Sequence, residues 1–132
     1  MSLVVLDTDV TSHAIKHTLP ASLAAKIVGR QPVVTFVTVG ELARWTVLRE
    51  FGARRRALIE SWMTSASIGA DDAVARKWGE ITAYAQLRGR PRPSDDSWIA
   101  ACALTHDLPL ATLNVKHFAD YAEHEGLRLI TV

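Results

Sequence analysis

The sequence predicts an α/β fold: a three-layer α/β/α sandwich around a central, mainly parallel sheet of four to five strands. Two observations favour it. Four short apolar, β-branched runs are separated by helical stretches along the chain. Each run is continuously apolar instead of alternating with polar residues, which is typical of strands covered by helices on both faces. The strand–helix–strand order then predicts βαβ crossovers and parallel neighbours.

The strands are predicted at 3–6, 33–37, 110–112 and 129–132. Helices are predicted from near Asp9, which would be the N-cap residue, and then over the ranges 20–28, 38–51, 53–63, 71–87 and 95–105. Gly52 separates two of these helices, an arginine- and proline-rich segment over 88–93 stops another, and Ser94 would cap the last.

Length and composition favour one domain over residues 1–132. The chain is 48% hydrophobic and 22% charged, which is enough apolar material for a core without disulfides. The single cysteine, Cys102, lies in an apolar run and is expected to be a small buried hydrophobe. No apolar run approaches the roughly 18 residues that span a bilayer. We therefore expect a soluble, cytoplasmic protein without a membrane partner.

The formal net charge of +1 conceals an uneven distribution. Residues 44–92 carry ten basic and five acidic side chains, whereas residues 93–132 carry two basic and six acidic ones. A positive rim around a negative centre suits a phosphodiester substrate. The alternative is a set of ordinary solvated helix faces. The candidate substrate-binding arginines are Arg49, Arg54, Arg55, Arg56, Arg88, Arg90 and Arg92.

The acidic residues stand at informative places. Asp7 directly follows the first strand, Glu41 comes shortly after the second, Asp95 and Asp96 open a helix, and Asn114 follows the strand near residue 110. In a parallel sheet the carboxyl ends of strands share one edge, so these residues can converge. Clustered carboxylates repel unless a cation compensates them, and Mg²⁺ or Mn²⁺ prefers such oxygen ligands.

Several of these acids have a structural alternative. Thr38 and Glu41 could form a capping box, in which Glu41 reaches back to the backbone of Thr38. Asp95 and Asp96 could simply stabilise the helix dipole. A purely structural role explains Asp7 least well, because burying an unpartnered carboxylate beside so apolar a strand would cost several kcal/mol of folding free energy.

Four segments in this order resemble the PIN-domain family and, within it, the VapC-type toxins of bacterial toxin–antitoxin pairs. They are 6–9 (LDTD), 38–42 (TVGEL), 95–101 (DDSWIAA) and 112–118 (TLNVKHF). The resemblance implies a ribonuclease that depends on Mg²⁺ or Mn²⁺, forms homodimers and is restrained by a VapB-type antitoxin. The apolar helical faces around Trp45 and Trp62 are the expected dimer interface.

The resemblance also implies roles for particular residues. Asp7, Glu41 and Asp96 match the three family acids that hold the metal ion, and Asn114 matches the fourth position. The residues expected to support them are Thr8, Asp9, Thr38, Asp95 and Thr112.

One departure from the family pattern concerns the number of ions. His117 stands where many members have an acid, so the fourth carboxylate is absent unless Asp120 reaches in. We therefore expect one tightly held ion, with a second only when RNA is bound.

The predicted reaction is hydrolysis of structured RNA, of the tRNA or rRNA class, by a metal-activated water. Two alternatives remain open at this point. One is a catalytically weak module that binds RNA or protein. The other is a haloacid-dehalogenase-like phosphatase with Asp7 as nucleophile, because residues 7–11 (DTDVT) fit that superfamily's signature. No phosphate loop, nucleophile elbow or paired-cysteine motif supports other classes.

Overall fold

A computed structural model describes residues 2–132 and shows a five-stranded sheet with helices on both faces. The strand order is β3-β2-β1-β4-β5, and every neighbouring pair is parallel. The predicted α/β fold is thereby confirmed. The strands are β1 (Leu3–Leu6), β2 (Gln31–Thr35), β3 (Ser67–Ile68), β4 (Leu110–Ala111) and β5 (Leu129–Ile130).

Seven helices connect and cover the strands within the described residues. They are α1 (Thr8–Lys16), α2 (Ala21–Ile27), α3 (Phe36–Leu48), α4 (Ala53–Thr64), α5 (Asp72–Leu87), α6 (Ser94–Thr105) and α7 (Val115–Glu125). None of the helices within residues 2–132 is both long and apolar enough to cross a bilayer.

Successive side chains of β1 enter two different cores. Val5 packs with buried residues of α5, α6 and α7, whereas Val4 and Leu6 pack with buried residues of α1 and α2. Strand side chains alternate between the faces of a sheet, so a run apolar at every position is covered on both sides. Cys102 lies fully buried in the first core, as predicted, and burial raises the pKa of its thiol to about 12.

The ends of β2 differ from the prediction, and β3 is a strand that the sequence analysis did not predict. Phe36 and Val37 were expected to end the second strand but instead begin α3. Phe36 packs edge-on against Trp98 at a centroid distance of 5.6 Å, so tertiary packing overrides the strand preference of these residues. Strand β3 has only two residues, Ser67 and Ile68, too few to give a periodic pattern.

Two predicted helix caps are wrong. Asp7, not Asp9, is the N-cap residue of α1, because its side chain accepts a hydrogen bond from the backbone N–H of Val10. Asp9 lies in the first turn instead. Ser94 does not cap α6 but is its first residue, and Pro93 takes the N-cap position.

The capping box expected at Thr38 and Glu41 is also wrong. Helix α3 begins at Phe36, two residues earlier, so Thr38 lies inside the helix. Its hydroxyl is hydrogen-bonded to the hydroxyl of Thr8 at 2.9 Å. Glu41 is therefore free of the capping role and available for the cleft described below.

Two glycines test the helix assignments. In α5, a Cβ added at Gly79 would meet nothing within 4 Å, whereas Gly126 ends α7 in the left-handed region at φ +77°. We expect Gly79→Ala to raise the free energy of unfolding by about 0.5–1 kcal/mol. Gly126→Ala should lower it by roughly 1–2 kcal/mol, because the added Cβ disfavours that conformation. Urea denaturation measures both, and a destabilising Gly79→Ala would contradict the assignment of α5.

Candidate active site

A cleft of about 540 Å³ lies where β1, β2 and β4 end and the following helices begin. The fold brings together residues that are up to 110 positions apart in the sequence, Asp7 and His117. The carboxylate and amide side chains that line the cleft are those of Asp7, Asp9, Glu41, Asp95, Asp96 and Asn114.

Asp7 is the buried centre of the cleft, with only 3% of its surface exposed. One carboxylate oxygen accepts from the backbone N–H of Val10 at 2.8 Å, and the other accepts from the Thr112 hydroxyl at 2.6 Å. Burial nevertheless raises the pKa of Asp7 to about 6, since these two hydrogen bonds only partly compensate the lost hydration. The neighbouring charges of Asp9 and Asp96 raise it further.

Three threonines fix the backbone around Asp7. The Thr112 hydroxyl donates to Asp7 and accepts from the backbone N–H of Asn114 at 2.9 Å, so it ties the loop after β4 to the end of β1. The bond between Thr8 and Thr38 ties the start of α1 to α3, the helix that carries Glu41. These supporting residues connect the elements that present the acids.

The carboxyl groups of Glu41 and Asp96 also have raised pKa values. Burial raises the pKa of both carboxyl groups, and Asp95 raises each of them further through its charge. The imidazole of His117 partly offsets the shift at Asp96, with 3.2 Å between His117 Nδ1 and a carboxylate oxygen. The cleft therefore holds more negative charge than the protein itself compensates.

This donor set fits a hard divalent cation in its chemistry. Carboxylate and amide oxygens are the ligands that Mg²⁺ and Mn²⁺ take, and these ions keep several waters. Within residues 2–132, no three His, Cys, Asp or Glu side chains already form a metal-binding cluster. The residues that would hold such an ion are Asp7, Glu41 and Asp96, which line one cleft.

Only part of the predicted arginine surface lies at the cleft. Arg49 lines it, and Arg55 lines an adjoining groove. Arg92 lies near enough for its charge to lower the pKa of Asp96. Among the described residues that form the cleft and groove, Arg54, Arg56 and Arg90 do not appear.

Asp120 does not replace the missing fourth acid. It is buried and paired with Arg88, with 2.6 Å between a carboxylate oxygen and Nη2, and this contact lowers the pKa of Asp120. Arg90 lies 4.0 Å from the same carboxylate. His117, in contrast, lines the cleft.

The sequence analysis did not predict five residues that line the cleft: the polar Ser12 and Lys16, and also Trp45, Pro93 and Ile99. Ser12 and Lys16 lie on α1. With Thr8 they form a row of every fourth residue on α1, a spacing that places side chains on one helix face. This polar row, which begins next to Asp7, is the sequence pattern from which Ser12 and Lys16 could have been predicted as cleft residues.

Comparison with known protein families matches residues 4–131 to the PIN domain. The chain belongs to the PIN-domain family. Its curated relatives include Ribonuclease VapC4 of Mycobacterium tuberculosis (strain ATCC 25618 / H37Rv), which is 32% identical over 103 residues, 75% of each chain. Ribonuclease VapC5 of the same strain is 31% identical over 94 residues, covering 71% of this chain and 65% of that protein.

Solved structures share the fold. The VapBC-5 toxin–antitoxin structure from Mycobacterium tuberculosis matches this PIN domain with a TM-score of 0.79 at 27% identity, covering 100% of both chains. DNA-bound VapBC from Salmonella typhimurium gives a TM-score of 0.81 at 23% identity, with 99% of this chain and 98% of that chain covered. The match to a ribonuclease family favours RNA hydrolysis over the phosphatase alternative.

The raised pKa of Asp7 predicts a pH-dependent stability in metal-free protein. Between the ordinary value of 3.8 and about 6, the folded PIN domain binds more protons than the unfolded chain. Its free energy of unfolding therefore falls as the pH rises through this range and stays low above it. Asp7→Asn removes the charge, and its amide oxygen can still accept from Val10. In a chelator at pH 8 we expect this variant to be about 1–3 kcal/mol more stable than the parent.

Denaturation curves at pH 5 and pH 8 measure the effect. Asp107→Asn serves as the control, because the side chain of Asp107 is 99% exposed and lies outside the cleft. If Asp7→Asn were less stable than the parent at pH 8, the burial cost assigned to Asp7 would be refuted.

Proposed function

We propose that this PIN-domain ribonuclease hydrolyses phosphodiester bonds in structured RNA, of the tRNA or rRNA class, with the help of Mg²⁺ or Mn²⁺. The observation that carries the proposal is the buried carboxylate of Asp7 in one cleft with Glu41, Asp96 and Asn114. Five carboxylates line this cleft together with two lysine or arginine side chains, Lys16 and Arg49, so a bound cation would offset an excess of negative charge.

Asp7 and Asp96 would hold the ion directly, and Glu41 and Asn114 would position it through waters. When bound, a divalent ion supplies a water of lowered pKa and positive charge beside the phosphate oxygens. The hydrogen bonds from Val10 and Thr112 orient the Asp7 carboxylate in advance, so little ordering is needed on binding.

The rest of the cleft would bind the substrate. Lys16 and Arg49 line it beside the acids and can hold the phosphates on either side of the cleaved bond. We expect RNA selection to depend on folded shape and unpaired bases, as is usual for RNA recognition.

The toxin role is supported by the relatives. The VapBC-5 structure, at 27% identity, is described as that of a member of the VapBC family of toxin–antitoxin systems. We propose a VapB-type antitoxin whose tail covers the acidic cleft, in the cytoplasm.

A homodimer is part of the proposal. Trp45 lines the cleft and Trp62 packs against two cores, but Val47 and Leu48 beside Trp45 are 86% and 63% exposed. These two residues at the end of α3 supply the apolar surface expected near Trp45.

Cleavage of structured RNA tests the assignment of the acids. With Mg²⁺ or Mn²⁺, we expect Asp7→Asn and Asp96→Asn to lower the single-turnover rate by about 10²-fold or more, because each loses charge at the ion. The control Asp107→Asn should cleave at the parent rate. Equal activity of all four proteins would refute the proposal. Metal and RNA binding without any cleavage would instead support the alternative of a catalytically weak module.

The stoichiometry of metal binding tests the role of His117. Since His117 replaces an acid and Asp120 is held by Arg88, we expect calorimetry to detect one tightly bound Mn²⁺ in the parent. His117→Asp adds a carboxylate beside Asp96 and should create a second, weaker site. The control His106→Asp adds the same charge outside the cleft and should leave one site. Two tight sites in the parent would contradict this expectation.

A further inference from the structure

Beyond the acids, the cleft is lined by two cations and an aromatic ring, those of Lys16, Arg49 and Trp45. A narrow groove of about 20 Å³ adjoins the cleft there and shares these three residues and Ser12 with it. The groove is otherwise lined by Arg55 and by the apolar residues Ile15, Leu42, Phe51 and Ile59, so a planar base has room beside Trp45 only on the side of the cleft. We call the surface formed by Lys16, Trp45, Arg49 and Arg55 the cation–aromatic groove.

Helix α3 sets the geometry of this groove. Glu41, Trp45 and Arg49 are four residues apart, which places them in a row along one side of the helix at steps of about 6 Å. Each step is comparable to the length of an extended nucleotide. A chain whose phosphate lies beside Glu41 therefore has its neighbouring nucleotide beside Trp45.

Trp45 is half-buried and lines the cleft. The guanidinium carbon of Arg49 lies 5.4 Å from the ring centroid. Arg49 is exposed, and a cation–π contact at an exposed site is weak enough to be exchanged for another partner. A base can therefore displace the guanidinium from the ring, and Arg49 then remains within reach of a phosphate.

The cations of the groove are unsatisfied within the protein. Across residues 2–132, no acidic side chain forms an ion pair with Lys16, Arg49 or Arg55. Three cations without an acidic partner, on one surface with an aromatic ring, complement a polyanion that carries planar bases.

We propose that the cation–aromatic groove is a subsite for an unpaired nucleotide next to the cleaved phosphodiester, with its base stacked on Trp45 and its phosphates bound by Lys16, Arg49 and Arg55. The subsite requires single-stranded RNA at this point, because a paired base cannot reach the ring. The inference rests on the proposed ribonuclease function, but it concerns binding and needs no metal.

Binding measured in EDTA tests the subsite separately from the reaction. The probes are fluorescein-labelled hexauridylate and a hexameric ribose-phosphate chain that lacks all bases but keeps the charges. We expect Trp45→Leu to weaken hexauridylate binding by about tenfold, within the roughly 5- to 150-fold range for loss of one base stack. Trp45→Phe, which keeps an aromatic face, should retain most of the affinity. The abasic chain should bind the parent and Trp45→Leu equally.

Matched controls lie on α5. Tyr84→Leu removes an exposed aromatic ring and Arg76→Gln an exposed cation, both outside the groove, and neither should change binding. Arg55→Gln should reduce the slope of log affinity against log salt concentration by about 0.7, the value for one phosphate contact to a single strand.

The result that would overturn the inference is a Trp45→Leu protein that binds hexauridylate like Tyr84→Leu. A folded Trp45→Leu variant that weakens both probes equally would also overturn it. Urea denaturation shows whether each variant is folded, which matters because Trp45 packs against buried residues. Equal affinity of the parent for the two probes would overturn the inference without any variant. The proposed ribonuclease function is tested separately by the cleavage assay with Asp7→Asn, and binding measured in EDTA does not bear on it.

Discussion

The site depends on one buried carboxylate. Asp7 ends the central strand, caps α1 and accepts the Thr112 hydroxyl, so three elements meet at its two oxygens. Burial makes the ionised form unfavourable, and neighbouring acids make it more so. This unfavourable burial of the Asp7 charge lies at the edge of the sheet, where a bound cation would compensate the charge. In the function proposed above, the stability lost at the metal-free site is the counterpart of affinity for the ion.

Contacts away from the cleft hold the acids in place. The hydroxyls of Ser97 and Tyr121 are 2.7 Å apart in the core and join α6, which carries Asp96, to α7. The ion pair of Arg88 and Asp120 joins the end of α5 to the same helix. Both contacts hold the middle of α7 against its neighbours, and this helix carries His117 in its first turn and Asn114 as its N-cap residue.

Opposite ends of one depression have opposite chemistry. The acidic end suits an ion, and the end at Trp45 and Arg49 suits bases and phosphates. Helix α3 contributes to both, because Glu41 and Trp45 lie one turn apart on the same side. Fewer arginines therefore lie at the cleft and the groove than the charge distribution of the sequence predicted. Arg49 and Arg55 line them, whereas Arg54 and Arg56 do not.

The sequence by itself determined the α/β class and placed Asp7 directly after the first strand, because continuous apolar runs and the polar residues that follow them are local patterns. It did not determine that α3 begins at Phe36, that Asp7 caps α1, or that Asp120 pairs with Arg88. Those outcomes depend on contacts between residues distant in the chain, which compete with local preference and are decided only when the layers pack. The tertiary structure alone also placed Lys16 and Trp45 beside the acids.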